Sequence, residues 1–245
     1  MRDSPVSIGI YRKHIALYRY LNNAWIFTDL LRPSLKSQAK LLLESKSKAK
    51  RRYSVPKRSG VVFSRRLDKD IGTLFTSQHD RGIFETNIIS MVSRVEAFIQ
   101  DCIALVAISH PKKLGLLVDG KTGVPLDLFL GTESREEVIR RFAIMKSEEL
   151  MYSKPAEYMR KTGEVLSIEL DADLLTDFFE IKASRDIIVH NSGLINDSYL
   201  KKAGNKSRGN QGEELKIDAT YFRHVLVTLK KLSGSIQMKT EEVYK

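Results

Sequence analysis

Cysteine is almost absent from this chain: Cys102 is the one thiol in 245 residues. That excludes an internal disulfide framework. Histidine is nearly as sparse, with His14, His79, His110, His190 and His224 scattered outside any zinc-type spacing. Neither a metal nor another cofactor is expected. Long apolar runs are missing as well. No stretch approaches the ~18 residues of a membrane span, and the N-terminus lacks an apolar core followed by a small-residue cleavage site. A membrane is therefore not an expected partner, and the cytoplasm is the expected compartment.

Acidic residues are scarce in one region only. Residues 1–66 hold 16 Lys/Arg against 3 Asp/Glu, net +13, while residues 67–245 hold 25 against 27, net −2, which together make the overall +11. The basic character thus belongs to the N-terminal quarter. Its densest run, Lys46 to Arg58, contains Lys50, Arg51, Arg52, Lys57 and Arg58 and ends at a break marked by Pro56 and Gly60. Such a run attracts a polyphosphate backbone without reading its sequence, through release of counterions. These five residues are the candidate RNA-binding set. A solvated tail or helix face, or an anionic membrane surface, are the alternatives.

Hydrophobic periodicity predicts a mainly helical chain. Residues 8–30 carry a rough amphipathic pattern, and a second helix is expected from Pro33, a good first-turn residue, to about Arg52, the two forming a helical hairpin. Residues 53–80 read as a linker, with Pro56, Gly60 and Gly72. The cleanest stripe runs through Phe84, Ile88, Val92, Val95, Ile99, Cys102 and Val106 to a stop at His110-Pro111, and reads as core. Further helices are expected from Ser134 to about Met151, from Asp171 or Asp173 to His190, and from Ala219 to Leu232 behind an Asp218 cap. The expected division is residues 1–70, a basic helical segment and linker, and residues 71–245, a helical domain. Within the latter, residues 111–133 form a loop or hairpin insertion.

Gly115 to Thr122 matches the phosphate-loop pattern G-x4-G-K-[ST] letter for letter. Its setting argues against that function. Such a loop follows a buried strand and opens a helix, whereas Pro125 would interrupt the helix in its first turns. Asp119-Gly120 reads better as a tight turn. Glu148-Glu149 and Asp171-x-Asp173 read as helix-surface and helix-start carboxylates. The stretch from Lys201 to Gly212 reads as a flexible basic loop, which could guide RNA or simply face solvent.

The candidate site is Arg185-Asp186-Ile187-Ile188-Val189-His190. Arginine offers phosphate oxygens a planar fork of donors and keeps its charge. Histidine can take and give a proton near neutrality. Arg185 and His190 are thus candidate catalytic residues, at the end of a predicted helix that Gly193 stops. The alternative is that Arg185 pairs with a carboxylate such as Asp186 and His190 caps the helix end. On an ideal helix the two side chains lie about 140° apart with about 7.5 Å of rise. A two-fold partner, a kink near Gly193 or the reach of the arginine must therefore bring them to one phosphate.

Arg185 to Leu200, with His190-Asn191-Ser192-Gly193 at its centre, resembles the signature helix and exit loop of the HEPN superfamily, where an arginine and a polar residue precede histidine. Asp186 fills the polar slot. Glu96, in Ser93 to Ile99, is similar to the opening helix of several HEPN branches, and Gly212 to Leu229 resembles their closing helix. The likeness covers residues 80–238, and its distinctive part is 185–199. It implies an all-α, HEPN-like antiparallel helical bundle that homodimerises, so that two such helices share one cleft. It also implies a metal-independent endoribonuclease of the kind used in toxin or antiviral defence, with an antitoxin or defence-system protein as candidate partner. Asp186, Asn191 and Glu96 become supporting residues: Asp186 to orient Arg185, Asn191 to hold the imidazole or contact the sugar. Some members keep the fold without the chemistry, so a catalytically inactive module that binds nucleic acid or a partner protein is the alternative.

Overall fold

The apolar stripe of residues 84–106 forms α3 (Ile83–Ser109), and its inward positions Ile88, Met91, Val92, Val95, Ile99, Cys102, Ile103 and Val106 are fully buried. Spacings of three and four residues set these side chains along one helix, and almost every turn of that helix meets a neighbour. The computed structural model describes residues 4–118, 123, 125–130, 134–151 and 154–245, and these are mostly helical. Around α3 pack α1 (Pro5–Leu43), α5 (Arg135–Met151), α6 (Pro155–Leu166), α7 (Ala172–His190) and α9 (Ala219–Val243). Between them lie α2 (Asp68–Ser77), α4 (Leu126–Leu130) and α8 (Asp197–Ala203).

The expected pair of helices before residue 52 is one helix. α1 begins at Ser4, whose hydroxyl accepts the Ser7 N–H, and runs through Pro33 to Leu43. An interior proline removes a backbone donor and costs about 3 kcal/mol. Packing offsets that cost here: Val6, Ile10, Leu17 and Leu21 are buried in the same core as α3 and α9, Leu31 and Leu35 lean on it, and Trp25 stacks on Phe222 with ring centroids 5.8 Å apart.

The linker expected over residues 53–80 is also corrected. Residues 51–66 form a two-stranded antiparallel hairpin, β1 (Arg51–Pro56) paired with β2 (Val61–Arg66), Arg51 opposite Arg66 and Pro56 opposite Val61. The sequence favours this locally. Tyr53, Val55, Val61, Val62 and Phe63 are β-formers, and Gly60 turns the chain at φ 82°, where the Lys57 N–H meets the Gly60 carbonyl. Residues 68–77 are then helical, and α3 follows through a π-helical turn, Gln78–Gly82.

Other boundaries shift for tertiary reasons. α9 continues past Gly234 to Val243 because Ile236, Gln237 and Thr240 are buried, which outweighs the roughly 1 kcal/mol that a helical glycine costs. Where residues 111–133 were expected as a loop or hairpin, Pro111–Leu117 is a 3-10 helix and α4 a short helix. The turn expected at Asp119-Gly120, with Lys121 and Thr122, lies outside the described residues.

Candidate functional site

Asp171 starts α7 by accepting the Leu174 N–H at 2.8 Å, and the helix ends at His190, where the N–H groups of Asn191 and Gly193 both bond the Ile187 carbonyl. Gly193 has φ 76°, and a Cβ there would collide with the Arg81 guanidinium, so the exit turn requires glycine twice over. Asn191 donates its side-chain amide to the Leu194 carbonyl at 2.6 Å, and Leu194 bridges to Glu214. Asn191 therefore braces the exit turn through its amide nitrogen, and of the two roles expected of it, holding the imidazole or contacting the sugar, neither is among the contacts it makes with the described residues.

Along α7, Lys182, Asp186 and His190 recur every four residues and lie within about 80° of one another, with Arg185 about 60° to the other side of Lys182. This arc forms one wall of a groove of about 710 Å³. Ser93, Glu96, Ala97 and Gln100 of α3 form the opposite wall, and Glu148 of α5, Asn196 and Ser198 at the start of α8 and Lys202 in its last turn complete it. The groove is broad enough to be lined by both Arg185 and His190 from a single unbroken helix.

A buried carboxylate organises the cations. Glu96 receives Lys182 on one oxygen and the Arg185 Nη2 on the other, the latter at 2.7 Å. The three side chains are 5%, 6% and 17% exposed, so these are interior ion pairs between α3 and α7. Isolated, any one of these charges would pay a large desolvation cost. Asp186 bridges Arg185 at 3.2 Å and Lys202 at 3.0 Å. The Arg185 Nε is buried without a partner among the described residues. His190 differs from all of these: it is exposed, and its ring has no hydrogen-bond partner among the described residues.

The opposite face of α7 carries a second network that sequence reasoning missed. Buried Glu180 accepts hydroxyls from Tyr199 and Tyr221, each at 2.9 Å, and from Ser184 at 2.6 Å, and pairs with Arg208 at 2.9 Å. The Arg208 guanidinium also lies over the Tyr221 ring, 3.3 Å from its centroid. Burial, reinforced by the Glu180 charge, pushes Tyr199 up to about 12 and Tyr221 well above its ordinary value. The segment 201–212, expected to be a flexible basic loop, is thus a short helix and turn fastened to α7 through Arg208.

Of the expected site residues, Arg185, Asp186, His190, Asn191 and Glu96 come together at the groove. Lys50, Arg51, Arg52, Lys57 and Arg58 do not line it; they sit on and beside the exposed hairpin, where Arg51 pairs with Asp68 at 2.6 Å and Arg52 covers Phe63. Lys202 was read only as part of the basic stretch Lys201 to Gly212, and Lys182 and Gln100 were missed. Their signal was present: Lys182 precedes Arg185 by three, and Ser93, Glu96 and Gln100 draw a polar stripe down an otherwise apolar helix. Among the described residues no group of three His, Cys, Asp or Glu side chains could hold a metal ion, and no helix is long and apolar enough to cross a membrane. No family model, curated protein or solved structure shows a significant match to this chain.

Proposed function

We propose that this chain is a metal-independent endoribonuclease of HEPN type, acting as a homodimer. The observation that carries the reading is a single groove lined by the exposed His190 imidazole, without a hydrogen-bond partner among the described residues, and by the cations Lys182, Arg185 and Lys202. His190 takes the proton of a ribose 2′-OH, and that oxygen attacks the adjacent phosphorus. Arg185, with Lys182 behind it, stabilises charge building on the non-bridging oxygens. The bond to the 5′-oxygen breaks, and His190 of the partner subunit protonates the leaving oxygen. The products are a 2′,3′-cyclic phosphate and a 5′-hydroxyl. DNA lacks the nucleophile and stays intact. Lys50, Arg51, Arg52, Lys57 and Arg58 hold the backbone of the RNA outside the groove. A role in toxin or antiviral defence, with an antitoxin-like protein as partner, accompanies this reading by analogy alone.

One observation favours a second reading. Glu96 and Asp186 already engage both terminal nitrogens of Arg185, as in a binding module that keeps the scaffold and lacks the chemistry. Purified protein incubated with mixed RNA in EDTA separates the two. The nuclease reading expects cyclic-phosphate ends, with loss of about 10²- to 10⁴-fold in rate for His190→Ala and a comparable loss for Arg185→Ala. Cleavage that survives both substitutions rejects the assignment, and an inactive wild type favours the binding module.

A further inference from the structure

The β1–β2 hairpin is the part of the molecule least satisfied by its own chain. An isolated two-stranded ribbon is marginal in water, and here every residue of both strands is exposed except the half-exposed Ser64. Its base alone is anchored: Asp68 accepts Arg51 at 2.6 Å and the Ser45 hydroxyl at 2.7 Å. Cross-strand register assigns the faces, because paired residues point the same way. One face carries Arg51 and Arg66, then Tyr53 and Ser64, then Val55 and Val62; the other carries Arg52 and Arg65, then Ser54 and Phe63, then Pro56 and Val61. Each face therefore presents an arginine pair at the base and one exposed aromatic ring at mid-length, Phe63 with Arg52 over one side of its ring and its remaining surface open, and the turn adds Lys57 and Arg58.

Charge identifies what covers such an arm. Residues 45–66 hold nine Lys and Arg and no Asp or Glu, and Asp68 pairs with Arg51 alone. The occupant is a polyanion. Membrane-surface elements segregate an apolar face from a basic one, whereas this ribbon has arginine and aromatic on both faces and would drive Lys57 and Arg58 into hydrocarbon first. Duplex nucleic acid offers phosphates but keeps its bases stacked inside. A single strand offers both phosphates and free base faces, and aromatic side chains flanked by cations are the means by which proteins hold one.

We infer that the hairpin is a binding arm for single-stranded RNA, with bases stacking on Tyr53 and Phe63 and phosphates meeting Arg65, Arg66, Lys57 and Arg58. The inference names the substrate class for the nuclease reading and rests on that reading only for the choice of RNA over DNA. It assigns roles to Tyr53, Phe63, Arg65 and Arg66 and predicts that unpaired regions are the targets.

Fluorescence anisotropy on the full chain carrying His190→Ala, which cannot destroy the probe, tests it. The probes are a labelled oligouridylate of about 20 nucleotides, the same strand annealed to its complement, and vesicles of phosphatidylcholine and phosphatidylserine in equal parts. The single strand binds at least about tenfold tighter than the duplex. Tyr53→Ala and Phe63→Ala each weaken single-strand binding by roughly 5- to 150-fold, while Tyr53→Phe and Phe63→Tyr restore it, which separates stacking from any loss of hairpin structure. Equal or tighter duplex binding, indifference to both alanine substitutions, or preference for the vesicles overturns the proposal. Stacking-dependent binding without cleavage by the wild type would retain the arm and reject the nuclease. Cleavage without stacking dependence would do the reverse.

Discussion

Glu96 decides how two of the groove cations, Lys182 and Arg185, are held. Its two oxygens hold Lys182 and Arg185 in an interior where neither cation would keep its place alone. Removing one member of a buried pair leaves an uncompensated charge and costs about 3–5 kcal/mol. Glu96→Ala is accordingly expected to lower the urea midpoint strongly. Adding Lys182→Met to it should recover part of the loss, because the double variant strands one fewer cation. Additive losses in the two substitutions would show that the three side chains do not act as a unit. His190 sits at the other extreme: being exposed and without a hydrogen-bond partner among the described residues, it can be replaced at little cost in stability, which makes it a clean probe of chemistry.

At the scale of elements, α7 is a beam loaded on both faces, with the groove on one and the Glu180 network on the other. Arg208 ties the segment after α8 to that beam, so Arg208→Ala should free residues 201–212, and trypsin should cleave after Lys201, Lys202 or Lys206 well before it cleaves the wild type. Resistance equal to the wild type would mean that the Lys202–Asp186 and Lys206–Asp177 pairs hold the segment to α7 without Arg208. The same network has an alkaline signature. Tyr199 is raised to about 12 in the folded chain from an ordinary 10.0. The folded state therefore keeps a proton that the unfolded chain releases. Its contribution is complete below about pH 10 and is lost as pH rises from there through about 12. A pH series of urea melts should show this alkaline decline, and Tyr199→Phe should lessen it by the Tyr199 share, the raised Tyr221 keeping its own.

For the whole molecule, charge and shape divide the labour. The basic excess of residues 1–66 sits on α1 and on an arm projecting about 20 Å from its anchor, while the groove lies against α3 and α7. Val189 and Leu194, 46% and 45% exposed, are apolar side chains close to His190 in the chain, and under the proposed homodimer they are the candidates for contact with a second copy. Val189→Asp is expected to shift sedimentation from dimer toward monomer and to lower cleavage in proportion. A monomer with undiminished cleavage would overturn the two-fold mechanism and return the second proton donor to the same subunit.

Much of the helical scaffold was legible because it is local. The stripe of α3, the Asp171 and Asp218 caps and the Gly193 stop depend on residues within a turn or two of one another, and Arg185 and His190 were placed correctly on one helix end. Pro33 misled because its local preference for a first turn is outweighed by the burial of α1 along α3 and α9. The hairpin was hidden in a run whose charge drew more attention than its alternating Tyr53, Val55, Val61 and Phe63. What the sequence by itself determined is the helical character and the placing of Arg185 and His190 in the last turns of one helix. Tertiary structure alone decided that Glu96 reaches across 86 positions to Lys182 and that Arg208 locks onto Glu180. The physical reason is that a buried ion pair is specified by the approach of two helices, and no pattern within either helix records which partner the other will supply.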